Sequence, residues 1–536
     1  MKNYFQNQKG YALVIVLLFI AVVAIGTVTM YSYSVNSQKF INTSTASVQD
    51  KLRAERIMDE AIMKVQTGLD AINPSLTNTS PIIDKITALI NNVNASSGGK
   101  YNIIQTVTED GQREGVYNVN ATFTVDVNKS GKKLVKTVAL STVKDIFQYS
   151  AVSNGDFTLN GSAYLQGDVF TNGNLYSLNY GKFMTDNKYY YAPTSFPAID
   201  GKLTVKGSIY GGNMNGSSFS WTQVPKNTPN LQNIFSLAPV IKDRNTSFTP
   251  IAVSSIIAQK SAYPAKGNSF PYYGNDDFWN FLLPVTYNTA ATITGNARYN
   301  SLVIGDKGNL TINGDLIVNG YLQIIGNGKL TVNGNIYVAD YATLSGTINL
   351  AAQNKYIYIN KKATIESFTL NGQMYVGQNA DIQEDFNTNG TLYAKTRIEV
   401  TNLSNNSGGT LVLICDGMIK VSNNNQYKDN PKEMNAYFYS NSTLEIYGVG
   451  SNLKINGGVY GNPVELNAMK GVTSTIPFKN SFNTGGLWFE NNQLGLEPSK
   501  SRLSIIFKNE LIYNPPNGIP TVEKISMKEI EKHYTK

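Results

Sequence analysis

LTINGDLIV at residues 310–318 and LTVNGNIYV at residues 330–338 are one phrase written twice, twenty residues apart. Apolar residues alternate with polar ones, as a strand with one buried face requires, and an Asn-Gly pair separates two short runs. The phrase returns in looser form at Leu370–Val376, Asn389–Tyr393 and Asn456–Tyr460. Gly372 lies 38 residues beyond Gly334, and Gly390 lies 18 beyond Gly372. A period of 18–20 residues, made of strands and Asn-Gly corners, predicts a parallel β-solenoid (β-helix). One coil cannot bury its own apolar side, so coils must stack and share a core. The Asn-Gly pairs are expected at corners, where both residues tolerate left-handed backbone angles.

The same grammar begins upstream, in DIFQYSAVSNGDFTLNGSAYLQGDVFTNGNLYSL at residues 145–178. Between about 182 and 300 it breaks, and prolines such as Pro193, Pro225, Pro250 and Pro271 rule out a long regular element there. Aromatics concentrate in this stretch, at Tyr189-Tyr190-Tyr191, Trp221, Tyr272-Tyr273 and Phe278-Trp279. They are expected to pack against the solenoid as core; the alternative is an exposed platform for a sugar or a surface. Beyond the solenoid, Leu503–Phe507 and Glu510–Tyr513 read as strands and Met527–Tyr534 as a short helix. This C-terminal segment is expected to cap the stack and blunt its edges.

The N-terminus follows different rules. YALVIVLLFIAVVAIGTVTM, Tyr11 to Met30, has no charge and no proline. As a helix it would span roughly 30 Å, one bilayer core. Lys2 and Lys9 precede it and the next charge is Lys39, so the short basic leader should stay cytoplasmic with the rest of the chain outside. The helix should continue beyond the membrane. From Val48, apolar Leu52, Ile57, Ala61, Ile62 and Val65 keep helical spacing among charged neighbours. It is expected to end at about Thr67, with Gly68 as the stop and Pro74 preventing continuation. A second helical face follows at Ile82, Ile83, Ile86, Leu89, Ile90 and Val93, ended by residues 96–99. Strand-like runs then occupy Tyr101–Thr108, Val116–Val127 and Leu134–Val143, with turns at Gly111 and at residues 129–132.

The junction Lys9-Gly10-Tyr11, a basic leader and a Gly before a long apolar helix, resembles a type IV prepilin signal. The resemblance implies a cut by prepilin peptidase between Gly10 and Tyr11. GYALVIVLLFIAVVAIG is most similar to the PilX-type minor pilins, as is the Tyr149-to-Gly155 stretch that opens the solenoid. Major pilins carry Glu at the fifth mature position, where it is held to pair with a neighbour's terminal amine. Here that position is Ile15. This departure resembles minor pilins of the tip or initiation kind.

Composition narrows the chemistry. Charged residues are 15% of 536, and Gly, Asn, Thr and 33 Tyr fill the gap, which suits a polar, uncharged extracellular surface. The net charge of +8 is spread thinly and is no nucleic-acid signature. The single Cys415 sits in an apolar run and reads as a small buried hydrophobe. The single His533 lies in the tail, a poor place for a general base. These counts disfavour His-based metal sites and nucleophilic triads. Parallel β-helices also host polysaccharide-active enzymes, which need matched carboxylates on adjacent coils. Asp315 aligns with Asn335, so that column is not acidic, whereas Glu366 and Glu384 fall one coil apart. Gly274-Asn275-Asp276-Asp277 reads as a turn.

The expected organisation is a leader (1–10), a membrane-spanning and then amphipathic helix (11–67), and a helical linker with a small antiparallel sheet (68–150). A solenoid (151–465), with an irregular insertion at about 182–300, and C-terminal strands and tail (466–536) complete it. The function expected is that of a minor pilin or pseudopilin, with no catalytic residue, cofactor or metal. Expected partners are other pilins, the inner assembly platform, prepilin peptidase, membrane lipid along Tyr11–Met30, and a surface or polysaccharide ligand. The alternatives are a membrane-anchored solenoid adhesin or scaffold outside any pilus, and a polysaccharide-active enzyme.

Overall fold

A computed structural model describes residues 8–76, 81–110, 117–127, 131–215, 218–243, 248–262, 267–274, 283–352, 354–405, 409–508 and 515–535. The chain is mainly β. A long N-terminal helix and a small antiparallel sheet precede a parallel β-solenoid of about 14 turns.

Coils between residues 302 and 338 have three short strands each. Leu302–Ile304, Asn309–Ile312 and Leu316–Val318 pair in parallel with Leu322–Ile324, Lys329–Val332 and Ile336–Val338. Alternate residues, such as Leu302, Ile304, Leu310, Ile312, Leu316 and Val318, point inward and are fully buried. They belong to one apolar core that runs the length of the stack. The offset of twenty holds here and drifts elsewhere. Ile357 pairs with Met374, 17 residues on, and Leu411 with Ala436, 25 on.

The corners divide: the glycines of Asn160-Gly161, Asn371-Gly372 and Asn456-Gly457 have a positive φ, as expected, but those of the most regular coils do not. Neither Asn313-Gly314 nor Asn333-Gly334 has a positive φ. Glycine is required by close approach: a Cβ on Gly314 would lie 2.2 Å from Asn296 Oδ1, and one on Gly334 2.1 Å from Asp315 Oδ1. Those oxygens bond the next coil. Asn296 Oδ1 accepts the Asp315 N–H at 2.8 Å, Asp315 Oδ1 the Asn335 N–H at 2.7 Å, and Asn335 Oδ1 the Tyr356 N–H at 3.2 Å. Asp and Asn alternate in this column because either supplies the accepting oxygen.

The coils are not stacked in chain order. Val459–Gly461 of a late coil pairs with Ala151–Ser153 of the first, and Val464–Ala468 pairs with Phe157–Gly161. The stack therefore runs from residue 285 to 468 and continues from 151 to 241. The chain leaves one end at Ile241 and re-enters at the other at Val285. The described residues between them trace a return strap along the outside. Phe248 meets Phe170, Ser254 Oγ donates to Asp416, and Lys260 lies over the rings of Tyr356 and Tyr375. The expected irregular insertion is thus two things. Ala198–Asp200, Lys202–Val205 and Ile209–Asn215 continue the stack, whereas the antiparallel hairpin Tyr180–Thr185/Lys188–Pro193, the strand Ser218–Val224 that folds back on Ile209–Asn215, and the strap depart from its coils.

The head packs the second half of α1 (Gln8–Ile72) and α2 (Ile82–Ala95) on a sheet of β1 (Asn102–Asp110), β2 (Tyr117–Asp126) and β3 (Lys133–Val143). Gly68 does not stop α1, which runs to Ile72. A Cβ there would lie 2.1 Å from Leu89 Cδ1, so Gly68 is where α2 packs closest. Pro74 falls in the short 3-10 turn Asn73–Ser75 that follows.

The C-terminus corrects the sequence reading. The segment expected to be a helix, Met527–Tyr534, is part of the strand Thr521–Thr535, which pairs antiparallel with β3 as the fourth strand of the head. His533 is therefore held in a ladder opposite Val135, with Glu531 Oε1 3.1 Å from its Nδ1. Leu503–Ile506 does not cap an end either. It lies inside the stack, between Leu453–Asn456 and Tyr164–Gln166. Glu510–Tyr513, Gly111 and residues 129–130 lie outside the described residues.

Candidate functional site

One helix carries two surfaces. In its second half, Ala54, Met58, Ala61, Val65 and Leu69 are buried at helical spacing against α2 and β2. In its first half no other described part of the chain covers the apolar side chains. Leu17, Phe19, Ile25, Met30 and Phe40 are each more than half exposed, and this half is long and apolar enough to cross a membrane. Two threonine hydroxyls of the apolar run are satisfied within the helix. Thr27 Oγ1 donates to Val23 O at 2.8 Å and Thr29 Oγ1 to Ile25 O at 2.7 Å, so neither needs water. Thr43 does the same with Lys39 O, and the Ser/Thr/Asn-rich stretch 31–47 stays helical.

Ile15 sits on this uncovered surface, 58% exposed. Gly10 and Tyr11 fall in the first turns of α1, and residues 1–7 of the leader lie outside the described residues. Where the uncovered half meets the head, Glu55 accepts from Lys532 Nζ and Tyr534 Oη, both at 2.9 Å. Those two bonds hold its carboxyl below the ordinary carboxylate range and tie the C-terminal strand to α1.

A second apolar surface, unforeseen in the sequence reading, lies on the outside of the solenoid. Ile317, Tyr337, Tyr358, Tyr375, Tyr393, Ile414, Tyr439, Tyr460, Val152 and Phe170 occupy one register position on successive coils. All are buried. Three segments of this chain cover them: the return strap, the link from head to solenoid around Phe147, and the segment after Phe507. Hydroxyls bind the covering backbone. Tyr460 Oη donates to Tyr149 O at 2.9 Å and Tyr393 Oη to Gly518 O at 2.6 Å, while Tyr439 Oη accepts the Ile251 N–H at 2.8 Å. Burial pushes the Tyr439 phenol up to about 12. Many tyrosines counted above as polar surface thus form a second core. The signal was present in IYV, YIYI, MYV and LYA, which set an aromatic at one outward position of the repeat.

Other candidates fall as follows. Cys415 is buried in the solenoid core, and burial pushes its thiol up to about 12. Glu366 and Glu384 do lie at one corner on successive coils, lining a shallow depression. Each meets a serine hydroxyl, Glu366 with Ser345 at 3.4 Å and Glu384 with Ser367. Among the described residues, no three His, Cys, Asp or Glu side chains are grouped to hold a metal ion. The aromatics of 182–300 divide: Tyr190 packs in a small core and Tyr273 stacks on Tyr299, whereas Tyr189 and Trp221 are exposed. Phe278, Trp279 and residues 275–277 lie outside the described residues.

No family model and no curated protein matches this chain. Among solved structures, the competence-associated pilin ComZ from Thermus thermophilus is a distant neighbour. It is 11% identical over 82% of this chain and 85% of that one, with a TM-score of 0.22. A score so low does not establish a shared fold, and the finer PilX-type resemblance rests on its sequence motifs alone.

Proposed function

We propose that this chain is a minor pilin-like subunit of a type IV filament system. It enters the assembly through the first half of α1 and displays the solenoid outside the cell. One observation carries the reading: a single helix buries Ala54 to Leu69 in the head and leaves Leu13 to Val48 uncovered. An apolar surface of that length needs lipid before assembly and neighbouring helices after it. Lys9-Gly10-Tyr11 supplies the processing junction expected of such a subunit. Mass spectrometry of the chain from cells containing prepilin peptidase should find a mature N-terminus at Tyr11. An intact leader would favour the anchored surface protein instead.

Ile15 refines the position. A charge left alone in lipid costs several kcal/mol, so a carboxylate at this point would bind strongly to the amine of the next subunit. Ile15 offers none, while the amine at Tyr11 remains available to a carboxylate below it. The subunit then caps a filament, at low copy. Immunogold labelling of sheared filaments against the solenoid should mark one end. Label along the shaft at the density of the main subunit would refute the tip position.

A further inference from the structure

A cavity of about 550 Å³ opens on the solenoid where the late coils meet the first ones. Its floor is one register row: Glu433 lies beside Lys454, Lys454 beside Ser504, and Ser504 beside Tyr164. Each is on the next strand of the stack, about 4.8 Å along. The row crosses the point where chain order is broken, so Ser504 and Tyr164, 340 positions apart in sequence, are neighbours in it. One wall is the loop Asp429-Asn430-Pro431. The other includes Glu490 and the segment from Leu496 to Arg502.

Arg502 makes this wall rigid. It is 1% exposed, and its guanidinium donates to three backbone carbonyls: Ser451 at 3.0 Å, Gly450 at 3.2 Å and Gly471 at 3.2 Å. No ion pair among the described residues includes it. Burial pulls its pKa down to about 10, so it remains charged at neutral pH. A buried cation held by carbonyls alone is costly, which marks this wall as built rather than incidental.

We infer that this cavity binds an uncharged saccharide chain. The charges select against ions of either sign, because Glu433 is already paired with Lys454 at 2.9 Å, and Asp429 and Glu490 are balanced by Lys500 and by Arg502 buried behind the wall. A polyphosphate would meet three carboxylates, and a polycation would meet Lys454 and Lys500 with the charge of Arg502 behind them. A sugar hydroxyl donates and accepts, so it suits a lining that offers carboxylates, ammonium groups and the exposed Ser499 hydroxyl together. The Tyr164 ring, Leu496 and Ile506 provide apolar surface for the C–H faces of the sugar. The floor is the face of a sheet and not its edge, so it has no free strand backbone for an extended peptide to pair with. Cavities of this volume are in the range that takes small ligands. The inference stands whether or not the chain enters a filament.

The test uses the full chain in detergent and titration calorimetry with tetrasaccharides of the cello, malto, chito and galacto series, with heparin as the anionic control. At least one neutral series is expected to bind, and heparin is not. Ser499→Trp, an exposed wall position, should weaken that binding at least tenfold without moving the unfolding midpoint. Tyr164→Ala should also weaken it, through loss of the apolar floor. Three results would each overturn the inference: no neutral series binds, heparin binds better than all of them, or Ser499→Trp leaves the affinity unchanged.

Discussion

The tyrosine ladder and the first half of α1 are both long apolar stripes, and the chain treats them in opposite ways. The ladder is covered by three of the chain's own segments, each pinned by tyrosine hydroxyls. The helix stripe is left bare from Leu13 to Val48. A fold that spends a return strap and a C-terminal segment on one stripe has the means to cover apolar surface. Leaving the other uncovered therefore points to a partner outside the chain, lipid or a second helix. The ladder also ties the head to the solenoid. The covering link around Phe147 comes straight from the head, and the segment after Phe507 returns to it as the strand Thr521–Thr535.

The sharpest way to break this contrast is to open the ladder. Tyr460→Ala removes a fully buried ring and the bond to Tyr149 O, and should destabilise the solenoid by about 3–5 kcal/mol, the range for aromatic truncations. Urea unfolding of the full chain in detergent measures it. A loss below ~1 kcal/mol would mean that the ladder's cover contributes little.

Alkali probes the same cover without mutation. The folded-state pKa of Tyr439 is raised from 10.0 to about 12. Its contribution is therefore complete below pH about 10 and is lost as pH climbs through about 12. That shift corresponds to about 2–3 kcal/mol. Unfolding midpoints should fall between these pH values, and Tyr439→Phe should flatten the fall while costing about 1 kcal/mol at neutral pH. An unchanged slope in the variant would leave the fall to Tyr375, Tyr393 and Tyr460, whose phenols burial also raises.

Glu55 marks the border between bare and covered helix. Its two bonds to the C-terminal strand are exposed, so Glu55→Ala should cost at most about 1 kcal/mol, diminishing in high salt. Hydrogen exchange should rise in residues 528–535 and stay constant in the solenoid. The smallest folding effect is expected from the largest excision. Removing residues 1–49 should leave the unfolding midpoint of head and solenoid unchanged, because that half packs on neither. The same excision should abolish membrane association. A large drop in midpoint would show that the bare half supports the head.

Part of this design is legible in the residues themselves. Tyr11–Met30 specifies a helix because a long uncharged run leaves the backbone few other ways to satisfy itself in lipid. Leu310–Val338 specifies stacked parallel strands because alternation sets which face is buried and a constant period puts equivalent residues in register. Helical spacing likewise marks the packed face of α2: of the six residues read on it, Ile82, Ile86, Ile90 and Val93 are buried, and Ile83 and Leu89 are half-buried at its margins. Tertiary structure decided what local pattern leaves open. Residues 527–534 suit an amphipathic helix, yet they form a strand because β3 offers an open edge, and a full ladder outweighs a weak local preference. Gly314 and Gly334 are needed for what approaches from the neighbouring coil, not for their own dihedrals. The pairing of Val459 with Ala151 joins residues 308 positions apart, which a repeat cannot encode because every coil edge offers the same hydrogen bonds. The fate of the tyrosines follows from that pairing. Out-of-order stacking obliges the chain to travel back along the outside, and the path of that return, not the residues it crosses, turns an outward face into a core.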